Sequence, residues 1–332
     1  MNSNEVNCNA WRWNLVADIG GTNARFAVQR IDRDELEQLT FYCVDEYPEF
    51  NDVFRNFLTL IEQYGITIDT LQGVCLAIAS PVGQQESLRF TNSPWVVSRS
   101  ELAELLGQVP FEIINDFVAI GYAISGLGND DWIQVGGTTA NQEKPVVVLG
   151  PGTGLGVCSV IPAINGVMVI EGEGGHADFA PLDEIEVEIQ RYLLNKYDHV
   201  SIERLLSGDG ILNIYQALCA MRSITPVCTT AAMITDAALA SSDETAEETM
   251  QIFSRVLGSS AGNLALINGA LGGVYIEGGI LPRILPLIEQ SQLRERFEGK
   301  GRFRSYLESI PLRIINRPNL GLIGAIQRLE FG

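Results

Sequence analysis

The chain alternates short apolar runs with polar, glycine-rich turns, a pattern that is typical of α/β proteins. The apolar run Asn14–Ile19 leads into a Gly-Gly-Thr-Asn turn, and a second strand-like run, Arg25–Arg30, follows it. This arrangement predicts a β-hairpin. Continuous apolar runs elsewhere predict buried strands. These further strands are expected at 40–44, 73–79, 111–114, 146–149, 157–161, 273–276 and 311–316.

Other segments carry apolar residues at helical spacing. Within 50–64 they recur every three or four positions, which predicts an amphipathic helix. Ser98 and Glu101 form a capping box, the signal that opens the helix expected at 101–106. The remaining helices are expected at 184–196, 202–219, 246–267, 281–289 and 322–331.

The pattern of strand, Gly/Thr turn and strand occurs twice. When the first hairpin is set beside the segment that starts at Val146, the pair Gly21-Thr22 aligns with Gly152-Thr153. This weak internal repeat predicts two related halves. The expected organisation is a tail at 1–13, a smaller α/β domain at 14–122 plus 317–332, and a larger α/β domain at 123–316.

Composition and charge exclude several classes of protein. The 332 residues include 22 Lys and Arg against 41 Asp and Glu, a net charge of −19 that disfavours nucleic acid and anionic lipid as partners. Hydrophobic residues make up 46%, enough for a folded core. The long uncharged stretches 145–170 and 256–276 contain prolines, glycines or polar residues, so we expect buried core elements there and no membrane span.

Cysteine and histidine usage points away from a zinc protein. The six cysteines are scattered without a Cys-x-x-Cys pair, and His176 and His199 are the two histidines of the sequence. Reduced, buried thiols are the simplest interpretation of the cysteines. The first twelve residues are polar and lack an apolar signal core, so a cytoplasmic location is expected.

Two glycine-rich turns are candidates for phosphate binding. In 18–23 and in 150–154, glycines allow successive backbone N–H groups to converge on an anion, and the hydroxyl groups of Thr22 and Thr153 add donors. Either turn alone would more often be a simple hairpin connection. Two matched turns favour a clamp on one polyphosphate, although neither has the P-loop or the dinucleotide-binding sequence.

Two aspartates lie at strand ends near these features. Asp18 is placed to orient hydrated Mg²⁺, and a turn-forming Asp is an equally good interpretation. Asp116 follows the strand at 111–114, where Asn115-Asp116 also has the pattern of a helix N-cap. A carboxylate at the end of a strand in an open α/β sheet is well placed to accept a hydroxyl proton, so Asp116 is our candidate general base.

The segment Glu171–Asp178 combines glycines with polar side chains. Glu173 and His176 are candidates for hydrogen bonds to the hydroxyl groups of a small polyol, while an acidic surface loop is the commoner fate of such a sequence. Glu203 lies near the start of the helix expected at 202–219, where an acidic residue also matches the helix dipole.

Taken together, these motifs resemble the bacterial glucokinases, which belong to the superfamily of sugar kinases, actin and the heat-shock chaperone ATPases. The resemblance runs from about Asn14 to the C-terminus. Six segments in this order carry it: Ala17–Arg25, Ile113–Phe117, Gly152–Gly156, Gly172–Pro181, Ser201–Gly208 and Gly278–Pro282.

The resemblance implies two ribonuclease-H-like α/β domains around a central cleft, the actin-like ATPase fold, with Mg-ATP and glucose bound between them. It implies a homodimer that phosphorylates glucose to glucose 6-phosphate, the entry step of glycolysis, with Asp116 as the base. It assigns the sugar hydroxyls to Asn115, Asp116, Glu173, His176 and Glu203. It assigns the phosphates to Gly20, Gly21, Thr22, Asn23, Gly152, Thr153 and Gly154, and the adenosine side to Gly278 and Gly279.

The sequence is also compatible with alternatives. The motifs specify phosphoryl transfer more firmly than the sugar, so a kinase for mannose, fructose or an N-acetylated amino sugar is one alternative, and polyphosphate is an alternative donor. A further alternative, from a different functional class, is a non-catalytic sugar sensor with the same fold. A DNA-binding regulator of that kind would need a basic helix-turn-helix segment, and the tail at 1–13 is short and not basic.

Overall fold

The computed structural model describes residues 11–90 and 93–331. These residues form two compact units: unit 1 contains the described residues up to Gly126 and from Asn319 onward, and unit 2 is Leu127–Pro318. The domain limits expected from the sequence stay a prediction. Residues 1–10 of the expected tail, with Cys8, lie outside the described residues, and Trp13 begins the first strand.

Unit 1 contains seven described strands: β1 (Trp13–Ile19), β2 (Asn23–Arg30), β3 (Leu36–Cys43), β4 (Leu71–Ile78), β5 (Ser87–Arg89), β6 (Val96–Ser98) and β7 (Phe111–Asn115). Five of them form one sheet with the order β3-β2-β1-β4-β7. β1 pairs antiparallel with β2, as the hairpin pattern predicts, and parallel with β4, which in turn pairs parallel with β7. β5 and β6 form a separate two-stranded ribbon.

The helices of unit 1 cover its sheet. Aromatic side chains fill the core under the first helix, where the rings of Phe26 and Phe57 lie 5.2 Å apart. The second helix begins after Ser98, whose hydroxyl group accepts a hydrogen bond from the Glu101 N–H, as the capping pattern predicts. The helices are α1 (Phe50–Glu62), α2 (Arg99–Leu106), α3 (Asp116–Ala123) and, after unit 2 in the chain, α11 (Leu320–Phe331).

Unit 2 repeats the sheet topology of unit 1 and adds one strand. Its strands are β8 (Trp132–Gln134), β9 (Val146–Pro151), β10 (Leu155–Ala163), β11 (Gly166–Gly172), β12 (Gly273–Ile276) and β13 (Leu312–Ile315). Their order is β11-β10-β9-β12-β13-β8, in which an antiparallel three-stranded meander is again followed by two parallel strands, and β8 then pairs antiparallel with β13. This confirms the repeat predicted from the matched Gly/Thr turns.

The longest helix of unit 2, α7, begins after Asp243, whose carboxylate accepts hydrogen bonds from the N–H groups of Thr245 and Ala246. Across the described residues, no helix combines the length and the apolar character that crossing a membrane requires. The helices are α4 (Glu184–Leu194), α5 (Gly208–Met221), α6 (Ala231–Leu239), α7 (Glu244–Asn268), α8 (Leu281–Glu289), α9 (Leu293–Glu298) and α10 (Arg304–Glu308).

Two local expectations are wrong. The single helix expected at 202–219 is divided into a short 3-10 turn, Ile202–Arg204, and the helix α5, because the Ser207 hydroxyl group caps α5 by accepting from the Gly210 N–H at 3.0 Å. Glu203 therefore lies in the 3-10 turn that follows Ser201 and not near the start of an α-helix. The polar segment Glu171–Asp178, for which a surface loop was one interpretation, begins inside β11, and the apolar run Val167–Ile170 of this strand was not predicted as a strand.

Helices α3 and α11 pack closely because Gly324 has no side chain. A Cβ atom at this position would lie 1.6 Å from the carbonyl oxygen of Ala119 in α3. Ala119 is buried in the cluster that α11 shares with the sheet of unit 1. Since α3 begins at Asp116, this contact sets the position of the helix that carries the candidate base.

Replacing Gly324 with alanine should therefore destabilise the protein. Alanine favours a helix over glycine by about 1 kcal/mol, but a methyl group cannot fit against backbone, and overpacking costs about 1–3 kcal/mol. We expect a lower melting temperature in a thermal scan. Gly126→Ala is the control, because its Cβ atom would meet the Gln327 side chain at an ordinary 3.7 Å. Equal melting temperatures for the two variants would contradict the close packing.

Candidate active site

In unit 1, the parallel strands end in one row. Ile19 of β1 pairs with Ile78 of β4, and Ile78 pairs with Asn115 of β7. Two strand spacings separate the ends of β1 and β7, roughly 10 Å. The turn that follows β1 and the Asn115-Asp116 pair therefore share the edge of an α/β sheet where ligands commonly bind.

Asn115 holds the start of α3. Its side-chain Oδ1 accepts hydrogen bonds from the N–H groups of Phe117 at 2.8 Å and Val118 at 3.2 Å, while its Nδ2 donates to the carbonyl oxygen of Ser80 at 3.2 Å. The N-cap interpretation is thus correct for Asn115. It fixes this side chain between β4 and α3 and leaves Asp116 as the first residue of the helix.

Asp116 is partly buried at this sheet edge. Its Oδ1 accepts a hydrogen bond from the Phe117 N–H at 2.8 Å, which orients the carboxylate relative to the helix backbone. An acidic residue in the first turn also matches the helix dipole. The structure places a carboxylate, the group that a general base requires, at the position that the strand pattern predicted.

In the first glycine-rich turn, one backbone N–H group is already bonded within the turn. The Gly20 N–H donates to the carbonyl oxygen of Asn23 at 2.9 Å, so Gly20 shapes the turn and does not offer this donor to a ligand. Gly21 and Thr22 make no N–H hydrogen bond with other described residues. Since Thr22 and Asn23 are exposed, the donors open to an anion come from the middle of the turn.

Asp18 has a partner that the sequence reasoning missed. Arg25 lies opposite it in the β1–β2 register, and the guanidinium Nη1 donates to Asp18 Oδ2 at 3.0 Å. Burial raises the pKa of the Asp18 carboxyl group, and the charge of Arg25 offsets part of that shift. The signal was available, since two residues at matching distances from a hairpin turn face each other across the strands.

The second glycine-rich turn lies at the equivalent edge of unit 2. Leu149 of β9 pairs with Ile276 of the parallel strand β12, so the turn 152–154 and the pair Gly278-Gly279 follow neighbouring strand ends. The Gly152 N–H donates to the carbonyl oxygen of Gly154 at 2.8 Å, again closing the turn at its first glycine. Thr153 is exposed.

Glu203 reaches directly to this second turn. Its Oε2 accepts a hydrogen bond from the N–H of Leu155 at 2.8 Å. A Cβ atom at Gly154 would lie 2.6 Å from the same oxygen, so the carboxylate can approach the backbone only because residue 154 is glycine. A residue predicted for sugar binding is thus in contact with a turn predicted for phosphate binding.

Glu173 and His176 lie beside this arrangement. Gly172, at the end of β11, pairs with Val157, two residues beyond Leu155 on β10. Glu173 Oε2 and His176 Nε2 are 3.8 Å apart, and both side chains are exposed. The turn that carries them is joined to the turn that carries Glu203 by a hydrogen bond from the Ile202 N–H to the carbonyl oxygen of Ala177 at 2.9 Å.

His176 also borders a polar cavity of about 360 Å³ in unit 2. Lys196, His199, Ser201 and Arg204 are among the residues that line it.

Unit 2 therefore brings together Glu173, His176, Glu203 and the turn 152–154, with Gly278-Gly279 at the same sheet edge. Unit 1 brings together Asp18, the turn 20–23, Asn115 and Asp116. Each unit combines a phosphate-type turn with acidic side chains that accept hydrogen bonds from hydroxyl groups.

Several known proteins that are similar to this chain over nearly its whole length are glucokinases. A family model described as Glucokinase matches residues 15–330. The glucokinase of Tolumonas auensis is 42% identical over 311 residues, which cover 94% of this chain and 95% of that protein. The glucokinase of Hahella chejuensis is 37% identical over 316 residues, which cover 95% and 96%.

A solved structure shows the same fold. The crystal structure of a glucokinase from an Antarctic psychrotroph has a TM-score of 0.85 and 32% identity, covering 97% of this chain and 100% of that chain. The fold is also shared by a ROK family glucokinase from Streptomyces griseus, solved with glucose and AMPPNP, at a TM-score of 0.62, with 16% identity and coverage of 96% and 100%. These similarities confirm the predicted actin-like ATPase fold.

The capping role of Asn115 leads to a prediction about stability. Asn115→Ala removes the acceptor for two N–H groups of α3 and should cost about 1 kcal/mol of unfolding free energy. Asn115→Asp keeps an acceptor at the same place and should retain most of that stability. Urea unfolding of both variants measures the difference, and equal losses of stability would show that the cap is not what holds this end of α3.

Proposed function

Since the chain belongs to the glucokinase family, we propose that it transfers the γ-phosphoryl group of ATP to the 6-hydroxyl group of glucose, with Asp116 as the general base. The observation that carries this proposal is the position of Asp116. Its carboxylate follows β7 at the sheet edge where the turn 20–23 follows β1. A proton acceptor and a phosphate-binding turn at one sheet edge are what phosphoryl transfer to an alcohol requires.

The two Gly/Thr turns are proposed to bind the phosphates of ATP. Backbone N–H groups and the hydroxyl groups of Thr22 and Thr153 would spread the negative charge of the transferred group. The residues proposed for this role are Gly20, Gly21, Thr22, Asn23, Gly152, Thr153 and Gly154. Because the N–H groups of Gly20 and Gly152 close their own turns, these two glycines would act by shaping the backbone. Gly278 and Gly279 are proposed for the adenosine side.

Glucose is proposed to be held by carboxylate, amide and imidazole groups. Hydroxyl groups bind ionised acceptors strongly, and a site that bonds each hydroxyl rejects an epimer because its buried partners would be left unpaired. The residues proposed for the sugar are Asn115, Asp116, Glu173, His176 and Glu203. The contact of Glu203 with Leu155 supports a sugar position next to the phosphate turn of unit 2.

The chemical step follows from the proposed position of Asp116. The carboxylate accepts the proton of the 6-hydroxyl group while that oxygen forms a bond to the γ-phosphorus. The bond between the γ-phosphorus and the bridging oxygen breaks, and ADP leaves with the electron pair of that bond. The products are glucose 6-phosphate and ADP, and the proton remains on Asp116 until solvent removes it.

Mg²⁺ is proposed as the metal of the reaction. Among the residues that the structure describes, no cluster of three or more His, Cys, Asp or Glu side chains could hold a metal ion. That fits Mg²⁺ in phosphoryl transfer, which keeps several waters and binds phosphate oxygens with one or two carboxylates. Asp18, with one oxygen held by Arg25, would bind it through water. When bound, Mg²⁺ neutralises charge on the phosphates.

We also propose that the protein is a cytoplasmic homodimer. The described cysteines, Cys43, Cys75, Cys158, Cys219 and Cys228, are free thiols, which supports a reducing compartment. Homodimers are usual in the family that the sequence motifs resemble. Sedimentation velocity of the purified protein measures the assembly directly.

A coupled assay tests the proposed function against its alternatives. The purified chain is supplied with ATP or polyphosphate and with glucose, mannose, fructose or an N-acetylated amino sugar. We expect ATP-dependent phosphorylation with a kcat/KM that is highest for glucose. A higher value for another hexose would reassign the substrate, and sugar binding without turnover would indicate a sensor.

Asp116→Ala should lower kcat by roughly 10²-fold or more, the scale of general-base loss. Glucose binding should be weaker but still measurable by calorimetry. Asp52→Ala is a matched control, because Asp52 is an exposed acidic residue in the first turn of α1 in the same unit. Turnover of the Asp116 variant close to that of the control would remove Asp116 from the role of base.

Glu173→Gln should mainly raise the KM for glucose, because the amide keeps the shape of the side chain and loses the charge that binds a hydroxyl group. The KM for ATP should change little. Glu184→Gln serves as the control, since Glu184 is an exposed residue in the first turn of α4 in the same unit. An unchanged KM for glucose would place Glu173 outside the sugar site.

A further inference from the structure

We propose that Glu203 is a positioning residue that couples the two substrates, because one carboxylate holds the phosphate turn 152–154 in place while it binds a sugar hydroxyl group. This inference rests on the proposed function and adds a role that sugar binding alone does not require. The sugar and nucleotide sites would then be linked within unit 2.

The two oxygens of Glu203 have different surroundings. Oε2 accepts the hydrogen bond from Leu155 N–H at 2.8 Å, directly after the turn. Oε1 makes no hydrogen bond with the other residues that the structure describes. A carboxylate can serve both partners at once, since each oxygen accepts independently.

The segment that carries Glu203 holds the turn from two sides. At the far end of the turn its side chain binds Leu155, and at the near end the Gly208 N–H donates to the carbonyl oxygen of Gly152 at 2.9 Å. The backbone of Glu203 is itself fixed, because the Ser207 hydroxyl group donates to the Glu203 carbonyl oxygen at 2.9 Å. A displacement of this segment must therefore move the turn as well.

Gly154 makes this contact possible. A Cβ atom at 154 would lie only 2.6 Å from Glu203 Oε2, so the carboxylate would have to shift from the position in which it accepts from the Leu155 N–H. Gly152, two residues earlier, lies in open space, with no heavy atom within 4 Å of a Cβ built there. The two glycines thus provide a matched pair of substitutions that differ in whether they disturb Glu203.

The expected consequence is positive coupling between the ligands. A sugar hydroxyl group bound at Oε1 fixes the carboxylate, which fixes Leu155 and the N–H groups of the preceding turn for the phosphates. By linkage, each ligand raises the affinity for the other by the same factor. Other contacts of the two ligands can also contribute to this change in affinity in the unmodified protein. The contribution of Glu203 is therefore measured by comparing variants.

The experiment measures the Kd of glucose by isothermal titration calorimetry, with and without saturating AMPPNP and Mg²⁺. For the unmodified protein we expect the nucleotide to tighten glucose binding by about 5-fold or more, the lower range of typical coupling. Gly154→Ala should reduce this ratio to about 1–2-fold. Gly152→Ala should keep the ratio of the unmodified protein, whatever it does to nucleotide affinity itself.

Two results would overturn the proposal: a ratio near 1 in the unmodified protein, or a ratio in Gly154→Ala equal to that in Gly152→Ala. Either result leaves the proposed function standing if the unmodified protein phosphorylates glucose, whereas absence of phosphorylation defeats the function itself. If Gly154→Ala fails to fold, Glu203→Ala replaces it, because alanine removes the acceptor of the Leu155 N–H, which glutamine would keep. A coupling ratio in Glu203→Ala equal to that of the unmodified protein then overturns the proposal, and a loss supports it.

Discussion

The arrangement of both units depends on parallel strands that end in register. In unit 1 the residues Ile19, Ile78 and Asn115 form one row, and in unit 2 Leu149 pairs with Ile276. A one-residue shift would turn every buried side chain of a strand to the opposite face, so packing of both faces fixes this register. The loops that leave these strand ends are consequently held together, although they are far apart in the sequence.

Backbone hydrogen bonds at these edges explain why site residues also support the fold. A helix or turn that starts at a sheet edge leaves N–H groups to be satisfied. Asn115 satisfies two of them for α3, Glu203 accepts from Leu155, and the first glycine of each turn bonds within the turn. Asn115 and Glu203 are also proposed sugar ligands, so we expect substitutions there to act on local structure and on ligand binding together. The two effects separate only when affinity and stability are both measured.

Much of the fold could be predicted because its signals are local. Apolar periodicity located β12 and α8 at their observed limits, and the Gly/Thr turns revealed the repeated hairpin. The errors have physical reasons. The apolar spacing of α5 continues back through the 3-10 turn, which hides the Ser207 cap that separates them. β11 is an edge strand whose apolar run, Val167–Ile170, is only partly shielded from solvent.

The sequence by itself determined which segments become strands, helices and turns, and which polar residues stand at the strand ends, because periodicity, caps and glycine turns act within a few residues. Only the tertiary structure decided which of those residues meet partners that are distant in the chain. Glu203 binds the Leu155 N–H, which is 48 positions away in the chain. Gly324 packs directly against the backbone of Ala119, where α11 contacts α3. Such contacts depend on how separate elements pack, and no local pattern along the chain encodes them.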